Sequence, residues 1–400
     1  VALAQVSEVS TPAGSAFGWD YEQVYCDGDE YFSAILSAVE SARESIFVES
    51  YIFDFDTLGK RLIDALQAAR FRGVEVRVLI DGVGSANFIS RSLSAVRDSG
   101  LEIRVHHPLP WQIVPEFLLG RGLGLKAFLR VFSLMNSRNH RKLVVIDRRV
   151  AFVGSLNISE VHLAEVMNSR AWHDVGVQLR GKLCEALHLI FQKTWNRAWR
   201  STPSGFLKPQ LFLRHRMQIS DSPFIIRNDG RALRHRALSE RLRMIRSARQ
   251  RVWIANAYFV PGGQLLRSLM AAARRGVDVR ILLPQISDIN FMPWVSRAFY
   301  ESLIRYGVQV YEYTPRVLHA KVILTDDSAW IGSSNLNHRS LLHDLELDVV
   351  LNSKPALRRL EKIFSADFNS SHEIDKLFGA GQPLLQRLAV GVLLYFRHLL

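Results

Sequence analysis

The chain contains itself twice. "SARESIFVESYIF" (41–53) returns as "SARQRVWIANAYF" (247–259), and "ALQAARFRGVEVRVLID" (65–81) returns as "LMAAARRGVDVRILLP" (269–284). Further on, "NHRKLVVID" (139–147) is matched by "LHAKVILTD" (318–326), and "GSLN" (154–157) by "GSSN" (332–335). The blocks keep their order, and the period is close to half of the 400 residues. That excludes a solenoid and predicts two homologous domains, each long enough to bury a core of its own.

Each half reads as βαβ followed by more strands. "SIFVESYIF" and "VEVRVLID" are rich in β-branched and aromatic residues, and the helical stretch between them ends at Gly73. Strands alternating with amphipathic helices predict an α/β class: two α/β sandwich domains with mixed sheets, related by a pseudo-twofold axis. The turn formers of "RSTPSGFLKPQ" (200–210) put the junction there, giving domains 1–205 and 206–400.

Two stretches have no counterpart in the other half. In 113–138, Leu125, Phe128, Leu129 and Phe132 share a helical face opposite Lys126 and Arg130; 384–400 is apolar with Arg387, Arg397 and His398 at its margins. Each fits a core-packing helix or a helix lying in a membrane interface. The position of the first, immediately before His140, favours the membrane. The net charge of +13 favours a polyanionic partner, either nucleic acid or an anionic membrane surface. Two cysteines, Cys26 and Cys184, exclude a disulfide framework and a thiolate metal cluster. Neither a signal peptide nor a spanning helix is expected, since no apolar run reaches about eighteen residues.

The polar letters of the repeat carry the chemistry. Side chains two apart on a strand share a face, so His140 projects with Lys142, and His319 with Lys321. A buried ammonium is costly without an anion. One such pair is weak evidence, because a lone strand histidine is usually structural. The same pair twice, each followed by Gly-Ser-x-Asn, points to an anionic phosphate: Ser155, Asn157, Ser333 and Asn335 are the candidate donors for it.

This doubled HxKxxxxD with GSxN resembles the signature of the phospholipase D superfamily, over nearly the whole chain. "IANAYFVPGGQLLRSLMAAARRGVDVRILL" and "GVQVYEYTPRVLHAKVILTDDSAWIGSSNL" resemble the bacterial cardiolipin synthases, the B-type subgroup best. The resemblance implies two phospholipase D-like domains whose motifs meet at one site, with no metal or organic cofactor. It implies His140 as nucleophile and His319 as general acid and base; the near symmetry leaves the reverse assignment open. Lys142 and Lys321 would offset phosphate charge. Asp147 and Asp326 complete the motifs and are mainly structural in the family, where the acid that orients each histidine comes on the next strand. The candidates here are Asp174 for His319 and Glu346 for His140, across the pseudo-twofold, with His173, Asp344 and Asp348 as rivals and edge-strand acids as the plain alternative. Glu49 is a further site candidate. Arg141, His338 and Arg339 fit a headgroup pocket or a solvated basic rim, and Asp81 fits a turn cap.

The expected reaction is transfer of a phosphatidyl group between two phosphatidylglycerol molecules to give cardiolipin. Attack by water instead would make a phospholipase D, and the same double motif would also serve a nuclease. The chain has no aromatic-basic strip for stacking bases, which argues against nucleic acid as partner. The expected partners are the anionic phospholipids phosphatidylglycerol and cardiolipin, and a membrane surface. The expected place is peripheral, on the cytoplasmic face of a bacterial inner membrane.

Overall fold

The structure, a computed structural model, describes residues 18–113, 137–201, 207–208, 219 and 221–375. Two mixed sheets built on one plan carry the repeat. In the first, the central strand Ser45–Ser50 lies parallel to Glu75–Asp81, which is parallel to Glu102–His106. On the other side follow Leu143–Ile146, Val150–Gly154, Gly176–Arg180 and Tyr21–Tyr25, every pair antiparallel. In the second, Arg251–Asn256 has Asp278–Pro284 and Gln309–Tyr313 on one side. On its other side come Lys321–Leu324, Ala329–Gly332, Leu347–Leu351 and Ile225–Arg227. These seven strands match one for one between the two sheets.

Local sequence accounts for the elements. The helix Thr57–Phe71 begins where the Asp56 carboxylate accepts the Gly59 amide, satisfying one of its free N–H groups. Leu58, Leu62, Ile63, Leu66 and Ala69 recur at helical spacing and are buried; each such Leu or Ile side chain contributes about 1.5–3 kcal/mol. Gly73 then takes a φ of 91°, which ends the helix at little steric cost.

The two sheets share a core. Phe47, Val145 and Phe191 of the first half and Leu282, Val322 and Leu360 of the second belong to one apolar cluster. The helices Leu183–Trp195 and Lys354–Asn369 both contribute to it. This packing fixes the halves face to face and brings equivalent strand ends together.

Two sequence expectations concern the ends of these sheets and the stretches beyond them. The strand Trp199–Ser201 pairs antiparallel with Leu207–Lys208, so the first sheet runs on to Lys208, past the expected junction at 205. The amphipathic stretches 113–138 and 384–400 lie outside the described residues, apart from Ile113, Ser137 and Arg138. Among the described residues no helix is long and apolar enough to cross a membrane.

Candidate active site

Each motif histidine is tied by its backbone to the opposite half. The His140 amide donates to the Leu345 carbonyl at 3.0 Å, and the Leu345 amide to the Arg138 carbonyl at 2.8 Å. Likewise the His319 amide donates to the His173 carbonyl at 2.8 Å, and the His173 amide to the Val317 carbonyl at 2.8 Å. Both histidines thereby reach one cavity of about 410 Å³. Asn157, Asn335, Tyr51 and Tyr258 share its wall with them, and Trp172, Ile289, Phe291 and Met292 make part of it apolar.

The carboxylates come across the same divide. Glu346 Oε2 lies 3.1 Å from His140 Nδ1, and Asp174 Oδ1 lies 2.9 Å from His319 Nδ1. With each Nδ1 engaged, Nε2 is the ring nitrogen left to face a substrate. Lys142 Nζ donates to the His140 carbonyl at 2.7 Å and Lys321 Nζ to that of His319 at 2.6 Å. Each ammonium also lies over a tyrosine ring, Lys142 at 5.3 Å from Tyr51 and Lys321 at 5.9 Å from Tyr258. The lysines stand behind the cavity lining. In a poorly solvated wall their charge still reaches the cavity strongly.

Crowding of buried cations sets the electrostatics. Burial and then Lys321 push Lys142 down to about 7, and burial pushes Lys321 down to about 8 against the pull of Asp174 and Asp288. Burial and both lysines hold His140 well below its ordinary range. His319 is lowered by burial and Lys321, with Asp174 opposing. The two acids differ. Burial raises Glu346 to about 7, whereas Asp174, despite its burial, is held well below the carboxylate range by His319 and His162. The site thus holds two lysines whose charged forms are disfavoured by burial, a penalty that an anionic phosphodiester relieves.

Comparison with known proteins bears on what such a site belongs to. Residues 35–195 and 242–368 match the family model described as "Cardiolipin synthase, PLD-like domain", one segment in each half. The chain is 34% identical to cardiolipin synthase B of Escherichia coli K12, over 83% of this chain and 76% of that protein. This chain belongs to the cardiolipin synthase family of phospholipase D-like proteins. It is also 32% identical to cardiolipin synthase 2 of Bacillus cereus over 87% of its own length, spanning 64% of that relative. In fold it is similar to phosphatidylserine synthase of Haemophilus influenzae Rd KW20, with a TM-score of 0.69, 13% identity and 96% of each chain covered. At that identity the likeness is one of architecture.

Several family-motif residues stand elsewhere than a catalytic or phosphate-binding role requires. Asp147 and Asp326 lie at the far ends of the motif strands, away from the cavity. The Asp147 carboxylate accepts the amides of Arg43, Glu44 and Ser45, and that of Asp326 accepts those of Arg249, Gln250 and Arg251. They fix the start of each central strand. Asp147 and Arg148 also have φ of 48° and 54°, as the tight hairpin between Ile146 and Val150 demands. Ser155 and Ser333 face protein as well. Ser155 Oγ donates to the Val175 carbonyl and accepts its amide, while Ser333 Oγ donates to Glu346 and accepts the Leu347 amide. The motif glycines serve strand contact: a Cβ on Gly154 would meet Gly176 Cα at 2.6 Å, and one on Gly332 would meet the Leu347 carbonyl at 2.3 Å.

Among the other candidates, Arg141 is buried away from the cavity, donating to Thr194 Oγ1 and the Glu346 carbonyl with Asp229 3.6 Å away. It pins the halves together. Glu49 is likewise buried, accepting from Asn139, and His173 pairs with Asp367. Asp348 engages the Ser334 amide and Arg241. Asp81 accepts the Val83 and Asn139 amides. Arg339 and Asp344, paired at 3.0 Å, do line the cavity. Sequence reading passed over Tyr51, Trp172, Tyr258, Asp288 and His162. Tyr51 and Tyr258 sat inside the repeated "SYIF" and "NAYF" blocks, one place out of register, which hid their common position over the two lysines.

Proposed function

We propose that this protein is a phosphatidyltransferase that joins two phosphatidylglycerol molecules into cardiolipin. The observation that carries the reading is one cavity holding two histidines, each backed by a carboxylate from the opposite half and by a buried lysine, in a member of the cardiolipin synthase family. His140 Nε2 attacks phosphorus as the bond to glycerol breaks, forming a P–N bond, and His319 gives its proton to the departing alkoxide. Neutral His319 then takes the proton of a terminal hydroxyl on the second phosphatidylglycerol. That oxygen attacks, the P–N bond breaks, and His140 is restored. Asn157 and Asn335, neutral donors on the cavity wall, suit the non-bridging oxygens. The apolar wall of Trp172, Ile289, Phe291 and Met292 suits the lipid side of the substrate and limits water, which would otherwise take the acceptor's place. The anionic lipid substrate and the positive net charge support work at a membrane surface, in this reading the cytoplasmic face of a bacterial inner membrane.

Incubation with phosphatidylglycerol and mass spectrometry of the products tests the reaction. Cardiolipin and glycerol in equal amounts are expected; phosphatidic acid as the sole product rules out the synthase in favour of hydrolysis.

The charge pattern also sets a pH profile. Raising the pH through about 7 to about 8 deprotonates Lys142 and Lys321 in the free enzyme and removes the charge that receives the phosphodiester. Lowering it protonates His140, but only below its ordinary range. We therefore expect kcat/KM to fall as the pH rises, first as His319, itself lowered, loses the proton it must donate, and further above pH 7 to 8 as the lysines lose charge, while the acid limb set by His140 lies lower still. The alkaline limb of kcat lies higher, because a bound phosphate anion favours charged lysines. A kcat/KM flat to about pH 9 contradicts the lysine assignment.

A further inference from the structure

The two halves break their symmetry behind the carboxylates. In the first, the Asn157 amide donates to His162 Nε2 at 3.1 Å; in the second, the amide of the matching residue Asn335 donates to Ser340 Oγ at 3.2 Å. His162 and Ser340 thus occupy equivalent places, five residues after the asparagine. His162 Nδ1 lies 2.9 Å from Asp174 Oδ2, while Asp174 Oδ1 meets His319. Because Nε2 of His162 accepts an N–H, its proton sits on Nδ1, facing Asp174. That contact is close but bent, short of an aligned hydrogen bond. All three groups are buried.

We propose that His162 is a positioning residue for the proton shuttle: it holds Asp174 against His319, and the presence of Ser340 at the matching place is what divides two similar histidines into a shuttle and a nucleophile. A carboxylate gripped at both oxygens by imidazoles stays ionised and fixed in direction. His319 therefore takes up a proton more readily than His140 does, its imidazolium facing a permanent negative charge. Glu346 accepts the Ser333 hydroxyl where Asp174 faces an imidazole, and burial makes it a weaker acid. His140 beside it lacks that fixed charge and stays neutral, its Nε2 lone pair open for attack. The asymmetry agrees in direction with the titration of the two rings, since Asp174 opposes the lowering of His319 whereas His140 is held further down.

This inference rests on the transferase reading, and a substrate with a self-departing leaving group separates the two. The phosphatidyl ester of p-nitrophenol releases a phenolate that needs no proton, so forming the P–N bond bypasses the shuttle while breaking it with an alcohol acceptor does not. In His162→Leu we expect first-turnover release of p-nitrophenolate per folded enzyme within about threefold of wild type, turnover to cardiolipin lower by about 10–100-fold, and a phosphatidyl adduct accumulating on His140. His162→Gln, whose amide offers an acceptor and a donor at a similar separation, restores turnover to within about fivefold. Equal losses in release and turnover, unchanged turnover in the Leu variant, or a Gln variant as slow as Leu each overturn the proposal. Absence of p-nitrophenolate release from wild type, or undiminished release from His140→Ala, defeats the transferase reading and this inference with it.

Discussion

His140→Ala is expected to lower cardiolipin formation by about 10⁵-fold or more, because it removes the atom that bonds to phosphorus and not merely a group that helps. Neighbouring hydroxyls do not replace it. Ser333, the hydroxyl nearest the Glu346–His140 pair, already donates to Glu346 and accepts the Leu347 amide. The fold should survive, since the ring's contacts with Glu346, the Ser333 carbonyl and Tyr51 are local and its backbone bond to Leu345 is kept. Binding to phosphatidylglycerol vesicles should therefore persist while product vanishes. The check is a sedimentation assay beside mass spectrometry of the lipid, and turnover within about tenfold of wild type would mean that another group attacks.

His319→Ala should cost about 10²–10⁴-fold with phosphatidylglycerol, the range that general acid and base catalysis supplies. With the p-nitrophenyl ester the loss should nearly disappear from the first turnover, and the phosphatidyl group should remain on His140. Intact-protein and peptide mass spectrometry locate it. An adduct that instead forms on His319 in His140→Ala, with none on His140 in His319→Ala, reverses the two roles. The near-identical motifs leave that choice open, and the acids behind them bear on it.

How much of this was legible beforehand follows the range of each interaction. The duplicated blocks told of two α/β halves because strand and helix patterns are local, set by residues a few places apart. The His-Lys parity was legible for the same reason: alternation on a strand is a backbone property. Asp147 shows where locality misleads. It travels with the motif, yet its carboxylate serves three backbone amides at 43–45, a hundred residues back and at the other end of the sheet. Ser155 and Ser333 mislead similarly, since a hydroxyl that could bind phosphate binds an adjacent strand just as well. His162 stood in plain view but carried no signal, because its partner Asp174 and its counterpart Ser340 gain meaning only when the halves are superposed.

From its sequence alone this protein is determined to be a doubled α/β chain with two His-Lys pairs suited to an anionic phosphate, because periodicity and repetition need no knowledge of distant contacts. Tertiary structure decided which acid meets which histidine, and which motif residues never reach the cavity. It also placed different residues, His162 and Ser340, behind the two acids. These outcomes depend on how the sheets pack across their shared core, where a side chain's neighbours come from residues more than a hundred positions away.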